Sequence, residues 1–353
     1  MKSDQRHSWN QLVVTKPKVW SIESVHDLPS PQDEEVLVHS AAFGICGTDI
    51  EILNGQLSSR WVKYPCSIGH EWVGIVERVG SKVTEIKIGD RVAIEAMNAC
   101  LNCKKCNIGQ TNLCLNYDQY GFTKPGGSSE YALVPERLLH IFPSSTPLVY
   151  GILLEPMAVV IQAIEKVDLR PGESVGVIGL GTLGLLAISL LQLRSPSSLI
   201  AFGVSRVELE YVNNLGVTQI LSVEDISAIK NLEKLDVVVV TTGSAQAFDM
   251  ALQVVTEGGR VVSVGISSPD DLLSFSPNSL VFKDISVFGS ITYRSSHWLK
   301  AIELVRSLRL NLGTIISKIL PMSEIENALE LFRNPDRKPG RIVVVHEWDD
   351  FSP

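Results

Sequence analysis

The sequence predicts an α/β fold in two domains, with a β-rich first part and a doubly wound parallel sheet beyond residue 155. Three observations carry this expectation. The chain has 353 residues, and at roughly 150 residues per domain that makes about two domains with length enough to bury a core. Beyond residue 155, short apolar runs alternate with helical patterns, as parallel strands buried on both faces require. A glycine-rich turn joins the first of those runs to a helix. A hydrophobic fraction of 45% and a charged fraction of 20% exclude a disordered or fibrous chain. The formal net charge of −8 argues against a nucleic-acid binder, which needs a basic face.

Along the first part, Val36–Ala41 and Trp72–Val79 are strand-like, with turn chemistry at Gly80-Ser81, Ile88–Arg91 and Pro125–Ser128. In the second part, Ser174–Ile178, Leu199–Phe202, Asp236–Val240 and Arg260–Gly265 read as strands, and Thr182–Leu193 and Val207–Leu215 as helices. Helical period returns over 297–310 and Met322–Phe332, before a last strand at Ile342–Val345 and an acidic tail from Glu347. Ser174–Leu193 carries no charge and is long enough to imitate a membrane helix. Gly176, Gly179, Gly181 and Gly184 instead mark strand, turn and helix. Met1 to His7 lack the apolar stretch of a signal peptide, so a cytoplasmic protein without membrane contact is expected.

Four of the six cysteines, Cys100, Cys103, Cys106 and Cys114, fall within fifteen residues. Four thiolates close a tetrahedral shell around Zn²⁺ and leave no position for substrate, so the lobe over 98–116 reads as a structural zinc site. An iron–sulfur cluster is the rival reading of CxxCxxC. The ferredoxin-type run would continue with three residues and a Cys-Pro pair, whereas here seven residues intervene and Leu115 follows Cys114.

Away from the lobe stand Cys46, His70-Glu71 and Glu155. Cys46, His70 and Glu155 offer one thiolate, one imidazole and one carboxylate, a ligand set for a catalytic zinc with an open fourth position. Each taken singly has an ordinary structural reading, as a buried small residue, a core histidine or a helix cap.

Gly179-Leu180-Gly181-Thr182-Leu183-Gly184 follows a strand and opens a helix, the setting in which GxGxxG binds a dinucleotide. The first glycine makes the tight turn, the second admits the pyrophosphate and the third lets the helix pack on its strand. No acidic residue lies between Leu185 and Val207 to bond a ribose 2′-hydroxyl. The second strand ends in Gly203-Val204-Ser205-Arg206, where Ser205 and Arg206 can hold a 2′-phosphate, so NADP is favoured over NAD.

With these motifs in hand, the chain resembles the zinc-dependent medium-chain dehydrogenases/reductases over nearly its whole length. The resemblance rests on Gly44–Asp49, Gly69-His70-Glu71, Gly89–Val92, the four-cysteine lobe, Gly126–Tyr131, Leu154-Glu155-Pro156 and the glycine loop. It implies a chaperonin-10-like catalytic domain of 1–154 plus 290–353 around a Rossmann domain of 155–289. It implies Cys46, His70 and Glu155 as catalytic zinc ligands with Glu71 as an alternate, Asp49 orienting His70, and Thr48 bonding the substrate oxygen. Glu51 stands where many members carry a relay histidine, so proton exit must run through Glu51, the ribose hydroxyl or water. Strand ends at Thr241-Thr242 and Gly265-Ile266 would face the nicotinamide. Tyr120, Glu130 and the 293–297 segment are candidate substrate contacts. The segment from Gly44 to Gly55 is most similar to glucose (aldose) 1-dehydrogenases, while Leu154-Glu155-Pro156 and the complete lobe look equally like sorbitol and threonine dehydrogenases. The partners implied are a sugar, polyol or alcohol substrate and further copies of the chain, as a homodimer or homotetramer. The rival from another class is a nucleotide-binding protein that has lost the chemistry, whose signature would be a missing Cys46, His70 or Glu155.

Overall fold

The computed structural model describes residues 8–267, 270–307 and 309–346, so Met1 to His7 and the acidic tail lie outside the described residues. The chain divides into two compact units, Met1–Glu155 with Lys318–Arg333 and Arg341–Pro353, and Pro156–Ser317 with Asn334–Gly340.

The first unit is built on the long strand Glu35–Ile45, whose residues are buried almost throughout. It pairs antiparallel with Glu71–Val79, Tyr131–Pro135 and Arg341–Val345. Arg91–Ile94, Leu139–Ile141 and Ile316–Pro321 complete a seven-stranded sheet. Its core gathers Phe43, Ile45, Ile68, Trp72 and Ile94, all nearly inaccessible. Trp72 is therefore a packing residue. A separate pair, Met97–Asn98 with Asp118–Gln119, brackets the four-cysteine lobe.

The second unit holds a six-stranded, all-parallel sheet in the order Gln219–Ser222, Ser198–Gly203, Ser174–Ile178, Leu235–Val240, Val255–Ser263, Ser286–Gly289. The central strands are apolar runs such as Val237-Val238-Val239-Val240, because both faces are covered. Two strands had no legible signal. Gln219–Ser222 and Ser286–Gly289 are short and lie at the sheet edges, where little apolar surface is needed.

Residues 290–317 belong to this second unit, a correction to the boundary at 290 expected from the sequence. The reason is a set of polar ties to the helix Leu154–Val167. Gln162 donates to the carbonyls of Ile291 (2.7 Å) and Thr292 (3.1 Å), and Glu165 takes both His297 and Lys300 of the helix Ser295–Arg306. The charge-free stretch after Ser174 is strand, turn and helix. Among the described residues, Leu148–Val167 alone is helical, long and apolar enough to span a membrane, and it is mostly buried.

Candidate active site

Cys46 follows the long strand and caps the helix Gly47–Asn54. Its backbone N–H donates to Asp49 Oδ2 at 2.8 Å. The other oxygen of Asp49 accepts the Gly69 N–H at 3.0 Å and lies 3.3 Å from His70 Nδ1. One carboxylate, itself 1% exposed, thus joins two turns twenty residues apart in sequence. Gly69 can make its turn because φ is +90°, a conformation that favours glycine. With Asp49 accepting at Nδ1, the ring leaves Nε2 facing Glu71 Oε1, 4.0 Å away. Donor atoms of Cys46, His70 and Glu71 all lie within 4.8 Å of one another, and His70 and Glu71 are buried.

A residue that sequence reasoning missed completes this cluster. Arg341, 4% exposed, donates to Glu71 Oε1 and to the Ile45 carbonyl, both at 2.6 Å. Its one signal was a charged residue at the head of an apolar strand. Glu71 Oε2 is buried without a hydrogen-bond partner, so the donor set has an oxygen to spare for a cation. Gly44 makes the room. A Cβ there would come within 2.8 Å of Glu71 Oε2, Arg341 Cδ and Ile152 Cγ2.

Charge follows from this packing. Burial pushes the Cys46 thiol up, but the hydrogen bond from His70 and the Arg341 charge outweigh it and leave it at about 7. Burial would hold His70 neutral, and the Asp49 carboxylate reverses this, raising it well above its ordinary value. Glu155, near the start of the helix Leu154–Val167 and 8% exposed, is pushed up to about 8 by burial. It senses the His70 and Glu71 charges but is not one of the groups clustered within 4.8 Å, where Glu71 stands instead. Thr48 is half-buried with its hydroxyl 3.9 Å from Cys46 Sγ. Glu51 is half-buried, its Oε2 has no partner, and burial raises its pKa.

The lobe is a second and different cluster. Sγ separations are 3.6 Å for Cys103–Cys106, 3.9 Å for Cys103–Cys114 and 3.4 Å for Cys114–Cys100. A tetrahedron with metal–sulfur bonds near 2.3 Å has S···S edges of about 3.8 Å, so the four thiols already have the size of a zinc shell.

In the second unit, Gly179 has φ +95°, Gly181 caps the helix Thr182–Gln192, and a Cβ at Gly184 would lie 2.0 Å from the Gly179 carbonyl oxygen. Turn, open approach and close packing are thus divided among the three glycines. Leu180 is buried, Thr182 nearly so, and Leu183 partly, so this loop offers a ligand mainly its backbone. Thr241 donates its hydroxyl to the Gly179 carbonyl (2.8 Å) and so braces the turn. Thr242 and Gly265 touch so closely that a Cβ on Gly265 would meet Thr242 C at 2.2 Å, and Gly243 is equally tight against Ile266.

Ser205 and Arg206, expected to hold a 2′-phosphate, each have a partner within their own helix. The Ser205 hydroxyl accepts the Glu208 N–H and caps the helix Arg206–Val212. Arg206 is exposed and lies along Glu210 at 2.6 Å. Two of the candidate substrate contacts are structural as well. Tyr120 is buried and donates to the Leu133 carbonyl, and His297 spends its nitrogens on the Arg294 N–H and Glu165.

Two family descriptions match the chain, an alcohol dehydrogenase GroES-like domain over residues 32–144 and a zinc-binding dehydrogenase over residues 182–307. The D-xylulose reductase A sequences assigned in Aspergillus terreus and Aspergillus clavatus are 30% and 29% identical to it. These matches cover 86% and 88% of this chain and 90% and 91% of theirs. Among solved structures, a Sinorhizobium meliloti chain assigned as a zinc-binding dehydrogenase and bound to NADP superposes with a TM-score of 0.89 at 25% identity. That match covers 96% of this chain and 99% of that one. The 2R,3R-butanediol dehydrogenase of Bacillus subtilis gives 0.86 at 26% identity, with the same coverages.

Proposed function

Because the chain belongs to the sugar and polyol branch of the zinc-dependent medium-chain dehydrogenases/reductases, an oxidoreductase family, we propose that it transfers hydride between a sugar or polyol hydroxyl carbon and a nicotinamide dinucleotide. The observation that carries the reading is the convergence of half-buried Cys46 with buried His70 and Glu71, Asp49 orienting the imidazole. Cys46, His70 and Glu155 would hold a catalytic zinc, with Glu71 as the alternate carboxylate, and the four lobe cysteines a structural one. Bound there, zinc supplies Lewis-acid polarisation of the substrate hydroxyl, lowering its pKa. Thr48 would accept the hydroxyl proton on its oxygen while giving up its own, and Glu51, with its unpartnered carboxylate oxygen, would take the released proton onward. Arg341 holds Glu71 in place and works against the burial that raises its carboxyl to about 8. The Gly179–Gly184 backbone receives the pyrophosphate, and Thr242, Gly265 and Ile266 border the nicotinamide.

NADP remains favoured over NAD, because the second strand carries no acidic residue at its end and Arg206 lies exposed, held only by a solvent-accessible partner. For the substrate, the Gly44–Gly55 segment supports an aldose oxidised at carbon 1. The D-xylulose reductases among the relatives favour a second reading, a polyol–ketose pair. A homodimer is supported by the strand Ser286–Gly289, which ends its sheet beside the exposed Val281 and Phe282. A lobe of reduced thiols fits a cytoplasmic setting.

Initial rates with NADP⁺ and NAD⁺ over aldoses, polyols, cyclitols and secondary alcohols, with zinc counted on the same sample, test the proposal. Turnover of a sugar or polyol with about two zinc per chain is expected. Turnover confined to simple secondary alcohols, or undiminished after zinc removal, would overturn it.

A further inference from the structure

Glu208 lies one helical turn beyond the strand end that sequence reading searched for an acidic residue. The structure brings it back. Its Oε2 accepts the Val204 N–H at 3.0 Å and the Ser205 N–H at 3.4 Å, completing the reciprocal cap with Ser205. The same oxygen lies 3.3 Å from where a Cβ on Gly203 would stand, a position that the side chains of Leu180, from the glycine loop, and Leu209 approach to 2.6 and 3.0 Å. The carboxylate thus stands beside the strand position from which the acidic side chain of an NAD binder would extend.

We propose that Glu208 is a cofactor-discriminating residue: its carboxylate, delivered from the helix to the end of the second strand, accepts the ribose 2′-hydroxyl of NAD⁺ and opposes the 2′-phosphate of NADP⁺. The inference rests on the reading that the second unit binds a nicotinamide dinucleotide. Two opposed charges then bear on the same position. Arg206, one residue past the cap, attracts a 2′-phosphate, and Glu208 limits how strongly it can be preferred. The enzyme therefore uses both dinucleotides with only modest discrimination. A glycine at 203 is needed for this arrangement, because any larger side chain would meet both Leu180 and the Glu208 carboxylate.

Glu208→Gln tests it, since glutamine keeps the capping hydrogen bonds and removes only the charge. Calorimetric binding of adenosine 2′,5′-bisphosphate and of 5′-AMP to the whole chain reads the site without substrate or catalysis, and kcat/KM for NADP⁺ and NAD⁺ follows. In Glu208→Gln the preference for the 2′-phosphorylated ligand rises by about tenfold or more, the scale of one removed charge close to a phosphate, and the unfolding midpoint stays unchanged. Arg206→Ala moves the preference in the opposite direction. If Arg206→Ala shifts the ratio and Glu208→Gln does not, the inference fails while the dinucleotide reading stands. If neither nucleotide nor either dinucleotide binds, the dinucleotide reading fails, and the inference with it.

Discussion

The two candidate zinc clusters are assembled in opposite ways. The lobe takes its four thiols from residues 100 to 114, on a short segment that is mostly half-exposed. Its electrostatics are local as well, the backbone N–H groups of Leu115 and Cys106 holding Cys103 down at about 6. The Cys46 cluster draws instead on residues 46, 49, 70, 71 and 341, and one of its bonds, Arg341 to Ile45, spans 296 residues of chain. Its members are buried apart from the half-buried Cys46, of mixed donor type, and tied to one another through Asp49 and Arg341. A site formed by neighbours in sequence reads as a clip that closes a loop. A site formed by distant segments exists only when the domain is folded, and its unequal donors leave chemistry to do.

The largest effect expected from this contrast is functional. Cys46→Ser should lower kcat by roughly 10³-fold or more, several kcal/mol of transition-state stabilisation being lost with the metal, and its unfolding midpoint should match the parent. Cys103→Ser should do the reverse, lowering the midpoint and abolishing its sensitivity to chelators while the remaining folded protein turns over. Equal unfolding by both variants would erase the distinction.

A smaller effect concerns the ion pair that only the buried cluster possesses. Arg341→Met removes two buried hydrogen bonds and leaves Glu71, a carboxyl that burial already raises to about 8, to take up a proton, and should cost about 1–3 kcal/mol in denaturant unfolding. Arg341→Lys keeps the charge and should cost less, losing one of the two hydrogen bonds. Parent-like stability of Arg341→Met would mean that Glu71 is not held by this contact.

The smallest effect is a pH dependence that appears when metal is removed. Glu155 has its pKa raised from 4.5 to about 8 by burial, so the folded metal-free chain holds a proton that the unfolded chain releases. That contribution is fully present below about pH 4.5 and is lost as pH rises through 8. The midpoint of chelator-treated protein should fall between pH 5 and pH 8 by at least about 2–4 °C, the equivalent of 1 kcal/mol or so. Glu155→Gln should reduce the slope and leave the part carried by Glu71, which burial also raises to about 8. A slope unchanged in that variant would assign it to another group.

Much of the molecule was legible in the sequence wherever the determinant is local. The strand Ser174–Ile178 and the start of the helix at Thr182 fall where expected, because the apolar run and the glycines act on their own backbone. The cysteine spacing defined the lobe for the same reason, since CxxC brings two sulfurs within reach of one ion whatever the rest of the chain does. The Ser205…Glu208 cap was also written in the sequence, as a serine three residues before a glutamate, but only folding shows that its carboxylate ends beside Gly203.

What only the tertiary structure decided are matters of distant partners. Nothing local marks Arg341 as the counter-ion of Glu71, places Glu71 rather than Glu155 within the 4.8 Å cluster, or joins residues 290–317 to the helix carrying Gln162 and Glu165. Sequence by itself determined the fold class, the glycine turn and the two sets of candidate ligands, because backbone geometry and metal-ligand spacing act over a few residues. The tertiary structure decided which ligands converge and how they are charged, because burial and ion pairing depend on segments that meet only after the chain has folded.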